Sequence, residues 1–196
     1  MSYIVLHENE TLEDAIKSRI KTATEPIECY KVIEERMSGS GRIEYWTYPL
    51  YAELNEEIVN GSTIMHPKEK PSPRRYDNER VIVDKGFVHA YKNYDDALEY
   101  MGQSCIGYPE TRPVIYKCVI PNGEQYFTAR QMRLLDGEPY PVYAASGIQF
   151  IEPLTQMVSG KIMPYVRMEK PDFKKKKFGI IYNEDQINGD VANDDE

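Results

Sequence analysis

The sequence predicts an α+β fold, with short helices set against a mixed or antiparallel sheet. Three observations carry this. Runs rich in β-formers recur along the chain, as in Arg42–Tyr48 and Val114–Ile120. Short stretches after Thr11 and Asn93 place apolar residues at helical spacing. Glycine-bearing turns, Met37–Gly41 and Pro121-Asn122-Gly123, separate the runs.

In chain order, Tyr3–Leu6 reads as a short strand. Thr11-Leu-Glu-Asp14 reads as a helix start, a threonine cap with an acid three residues on. Leu12, Ala15, Ile16 and Ile20 then share one helical face. Ile27–Glu34 alternates Cys29, Lys31 and Ile33 with Tyr30 and Val32, and reads as a strand paired with Arg42–Tyr48. Residues 50–59 read as a short helix ending at Gly61. Residues 66–80, rich in proline and charge, read as an exposed loop. Val81–Val83 and Phe87–Tyr91 read as extended, with Gly86 between them. Asn93 or Asp95 caps a helix carrying Ala97, Leu98 and Met101. Val114–Ile120 is the clearest strand, and Asn122-Gly123 supplies the positive φ of the turn that follows. Thr128–Leu135 is expected as a short helix. Tyr140–Ile151 reads as a strand interrupted near Gly147. Ile162–Met168 and Phe178–Tyr182 are weaker strand candidates. Residues 1–170 are expected to form a single α+β domain, and 171–196 a basic-then-acidic extension.

Net charge is −8, and residues 183–196 alone account for −6, so the body is near neutral. Basic residues gather in two places, Lys68, Lys70, Arg74 and Arg75 in the proline-rich loop, and Lys174, Lys175, Lys176 and Lys177 before the acidic segment. Tyrosine is abundant, 16 residues against 5 phenylalanines, as half-buried strands and contact surfaces favour. Cys29, Cys105 and Cys118 are far apart, with no paired metal-ligand spacing, so no disulfide framework and no metal site is expected. The start lacks the basic and apolar segments of a signal peptide. No apolar run approaches a membrane span. A cytoplasmic location, or assembly in the cytoplasm, is expected.

From Lys85 the chain resembles small phage and bacterial proteins of unknown function. The residues that carry this are the Lys85-Gly86-Phe87 strand with His89, the helix around Asp96-Ala97-Leu98-Glu99-Tyr100, the strand Val114–Ile120, and the closing strand Ala145–Ile151. The same order, over residues 85–152, is similar to the second half of the ADP-ribosyltransferase fold, especially of the poly-ADP-ribose polymerase kind. That resemblance implies an NAD site in which Tyr100 stacks on nicotinamide and Glu138 acts as the catalytic carboxylate. Gly86, His89 and Tyr30 would line the ligand. Where the family has a ribose-gripping His-Gly, this chain has Tyr30 and Lys31.

Two classes of function follow. The first is a non-enzymatic binding or structural protein, a virion component or an interactor of a host factor, with a protein partner or further copies of itself and no cofactor. The missing histidine and the tyrosine-rich strands favour it. The second is a divergent mono-ADP-ribosyltransferase using NAD through Tyr100 and Glu138. Nucleic-acid binding through Arg74, Arg75 and Lys174–Lys177 is disfavoured by the near-neutral body and the acidic segment.

Overall fold

The computed structural model describes residues 2–47, 54–104, 111–133 and 137–168. Strands dominate. In chain order the elements are β1 (Ser2–Val5), α1 (Leu12–Arg19), β2 (Lys21–Thr22), β3 (Ile27–Met37), β4 (Ile43–Trp46), α2 (Glu56–Val59), β5 (Arg74–Arg75) and β6 (Arg80–Ile82). Then come β7 (Val88–Tyr91), α3 (Tyr94–Ser104), β8 (Thr111–Ile120), β9 (Gln125–Gln131), β10 (Tyr140–Ala145), β11 (Gln149–Val158) and β12 (Lys161–Pro164). They form one sheet in the order β12-β11-β8-β3-β7-β10-β9-β1-β6-β5, with β2 beside β9 and β4 beside β3. Every pairing among the described residues is antiparallel.

The local signals explain most boundaries. Thr11 caps α1, its hydroxyl accepting from the Asp14 N–H, and the acids Glu13 and Asp14 sit in the first turn. Gly123 takes φ +90° in the turn between β8 and β9. Tyr140–Ile151 is broken near Gly147, as expected, into β10 and β11. The latter continues to Val158, and the positive-φ residues Ser159 and Gly160 turn it into β12.

One expectation is corrected and another refined. Thr128–Leu135 is not a helix; its described part extends β9. Phe127 and Ala129 are buried while Thr128 and Arg130 are exposed, a period of two, and β10 and β1 flank the strand. Pairing on both sides overrides any local helical preference. The segment 66–80 is largely exposed, as expected, but it also carries the two-residue strand β5. Asp77 Oδ1 accepts from the N–H groups of Glu79 and Arg80, closing a turn that lets β5 pair with β6. Phe178–Tyr182 and the whole 171–196 extension lie outside the described residues.

Burial alternates along β3 and builds a core on each face. Val32 faces a core with Ala15 of α1 and Ala97 and Met101 of α3, together with Ile115, Phe127 and Val142. Cys29 and Ile33 face the other, with Ile58 and Val59 of α2, Met65, Val114, Ile148 and Phe150. β3 pairs with β8 over ten positions, from Ile27↔Ile120 to Arg36↔Thr111. On its other side, β3 meets β7 at the single pair Tyr30↔Tyr91.

Gly86 fixes the entry to β7. It adopts φ +78°, and a Cβ built there would lie 2.2 Å from Pro71 Cα and from Pro71 N. Both atoms are backbone, so neither can swing aside. Gly86→Ala is expected to destabilise the protein by more than about 1 kcal/mol in urea denaturation, through positive φ and overlap together.

Candidate functional site

The seam between β3 and β7 joins the two halves of the sheet. Beyond the Tyr30↔Tyr91 pair, a side chain completes the bonding: Lys31 Nζ donates to the His89 carbonyl at 2.7 Å. Lys31 is 4% exposed, and burial pulls its ammonium down to about 8. The His89 ring is also buried. Its Nε2 donates to the Val83 carbonyl at 3.0 Å, since a carbonyl can only accept, and its Nδ1 has no partner. Burial, and then the Lys31 charge, push His89 down to about 3. Tyr30 is half-exposed. Its hydroxyl donates to the Glu28 carboxylate, which raises it to about 12, and its ring meets Tyr94 edge-on at 5.7 Å.

Tyr100 and the segment of Glu138 come to one end of α3. The Tyr100 ring packs against Tyr91 at 5.3 Å and Tyr140 at 6.4 Å. Arg133 ties this end together. It donates to the Glu138 carbonyl and to the Glu99 carboxylate, and lies 4.3 Å over the Tyr140 ring. Glu138 itself is exposed. A ligand ring stacking on Tyr100 therefore competes with the tyrosines already there.

A cleft of about 440 Å³ lies elsewhere, lined by Leu6, His7, Glu8, Glu10, Arg75 and Glu79 among others. Arg74 and Arg75 are exposed on β5, the last strand at one edge of the sheet. Lys174–Lys177 lie outside the described residues. The opposite edge is apolar. All four residues of β12 are exposed, with Ile162 at 51% and Met163 at 40%; Val158, paired with Lys161, and Val166, two residues after β12, are exposed beside it.

Sequence reasoning missed Glu35. It is fully buried, held by Arg112 at 2.5 Å, by the Tyr116 hydroxyl at 2.8 Å and by the Tyr165 hydroxyl at 3.3 Å. Arg112 also donates to the Val166 carbonyl at 2.7 Å, so the network anchors the chain just after β12. Burial, and then the Glu35 charge, raise the Tyr116 hydroxyl strongly. The available signal was an acid on the same strand face as Cys29 and Ile33. Cys29 and Cys118 face each other across β3 and β8 as free, buried thiols, and burial raises both. Such thiols are poor nucleophiles.

Among the described residues no helix is long and apolar enough to cross a membrane. No group of three or more His, Cys, Asp or Glu among them is arranged to hold a metal ion. No protein-family model, curated protein or solved structure matches the chain.

The buried His89 gives stability a definite pH dependence. Below the unfolded value of 6.5 the unfolded chain takes up a proton that folded His89 refuses down to about 3. Stability falls with pH through that window, by up to about 1.4 kcal/mol per unit from this residue. Urea titrations from pH 7 to 4 should show a shallower slope for His89→Gln. Lys31 acts at the other end of the scale. The unfolded chain keeps its proton to 10.5 and the folded chain only to about 8. Lys31→Met should therefore gain stability relative to the native chain at pH 7, or lose less, than at pH 10.

Proposed function

We propose that the chain is a non-enzymatic binding or structural protein that engages another protein through the β11–β12 edge, on an ADP-ribosyltransferase-like scaffold. The observation that carries this is the half-exposed Ile162 and Met163 on the last strand of the sheet. An edge strand offers unpaired N–H and C=O groups, and an incoming strand can take them. Ile162 and Met163 lie on opposite faces of β12, so a partner strand would find apolar contacts above and below. The neighbouring Val158 and Val166 extend the apolar surface. Virion components and interactors of host factors both work by such contacts.

The test uses the full chain with Ile162→Lys and Met163→Lys combined. Both side chains point into solvent, so the fold should survive, as circular dichroism can check. Assembly is read by light scattering over a concentration series and by a photo-crosslinking side chain at position 158, with a control at Glu79. The expected result is a complex, with itself or with one discrete partner, that forms at least tenfold less in the double variant. Equal assembly and equal crosslinking by the double variant sink the reading.

One observation favours a second reading, an NAD-using transferase. Tyr100 packs on Tyr140, two residues from Glu138, so the two candidate residues belong to one corner of the fold. Calorimetry with NAD is expected to show binding weakened by Tyr100→Ala, and NAD turnover lost in Glu138→Ala. No heat at millimolar NAD removes this reading and leaves the first untouched.

A further inference from the structure

Three polar side chains from distant parts of the sequence converge over Gly147. His66 follows the isolated bridge between Met65 and Ile148. Glu124 ends the turn between β8 and β9, its carbonyl accepting from the Ala23 N–H at 2.9 Å. Ser146 follows β10. A Cβ built on Gly147 would lie 2.9 Å from His66 Cε1 and 3.0 Å from Glu124 Cδ. The imidazole and the carboxylate thus flank one point in space, and the absence of a side chain at Gly147 leaves room for both.

The hydrogen bonds sort the lone pairs. His66 Nδ1 lies 2.9 Å from the Ser146 carbonyl. A carbonyl only accepts, so in the neutral ring Nδ1 carries the proton and Nε2 keeps a free lone pair. The Ser146 hydroxyl donates to Glu124 Oε2 and accepts from the Gln125 N–H at 2.8 Å. Glu124 Oε1 has no hydrogen bond from any described residue. His66 is exposed, and Glu124 and Ser146 are half-buried, so the pair is open to solvent on one side.

This is the outer arrangement that metal ligands need. A ligating histidine usually donates its other N–H to a carbonyl or carboxylate, and a ligating carboxylate is itself hydrogen-bonded. Both conditions hold before any ion is present. We propose that His66 Nε2 and Glu124 Oε1 bind a divalent transition-metal ion of the zinc type, with Ser146 as the positioning residue. An imidazole selects such ions over magnesium or calcium. Two protein donors leave the remaining coordination positions open to water or to a donor from a bound partner.

The test is calorimetric titration of the full chain with Zn²⁺ alone. One site per chain is expected. His66→Ala and Glu124→Gln should each abolish it. Ser146→Ala keeps both donors but frees the carboxylate, and should weaken binding about 10- to 100-fold. His7→Ala and Cys105→Ser should leave it unchanged. His66 is exposed, so its loss does not threaten the fold. No binding at millimolar Zn²⁺, binding that persists in His66→Ala or Glu124→Gln, or binding lost with His7 or Cys105 would each overturn the proposal. A Ser146→Ala variant that binds as tightly as the native chain overturns the positioning role.

Discussion

The two halves of the sheet are held together at a place where the backbone ladder almost stops. β3 and β7 share one residue pair, yet they must stay adjacent for β8, β11 and β12 to remain in the same sheet as β10, β9 and β1. The Lys31 ammonium spans that gap to the His89 carbonyl. A buried carbonyl without a donor costs about 1–3 kcal/mol, and a buried ammonium is costly unless it is well bonded. Each group therefore limits the cost of the other. The ring of His89 is kept neutral by its own burial first and by the Lys31 charge second.

Around that seam the molecule has two different kinds of surface. Two polar clusters are tied off: buried Glu35 by an arginine and two tyrosines, and half-exposed Tyr30 by Glu28, which also pairs with Lys117 at 2.7 Å. The groups left open lie at the periphery. They are the apolar edge at β12, the basic edge at β5, and the His66–Glu124–Ser146 cluster over Gly147. The proposed contact role at the β12 edge would draw on this distribution. The continuous sheet holds the edges in place, and a surface ion held by two donors could be completed by a partner's ligand.

Much of the local structure was legible because it depends on near neighbours. The Thr11 cap, the Gly123 turn, the alternation of β3 and the break near Gly147 are all set within a few residues. What was missed has a common cause. Thr128–Leu135 looked helical by itself, but β10 and β1 claim its described part from either side. The 66–80 segment looked like a loop because prolines and charges hide a two-residue strand closed by Asp77. The candidate residues taken from family resemblance, Tyr100 and Glu138, do share a corner of the fold. Their environments could not be read in advance, since they depend on Tyr91, Tyr140 and Arg133.

The sequence by itself determined most of the element types, their order and the two-faced burial of the central strands, because periodicity and turn chemistry act over short range. Only the tertiary structure decided which strands lie side by side, and so which distant side chains meet. Glu35 and Arg112 stand 77 residues apart in sequence, and His66 and Ser146 stand 80 apart. No periodicity links such positions. They come together because an antiparallel sheet carries each strand back past the last, and register then fixes which residues face each other.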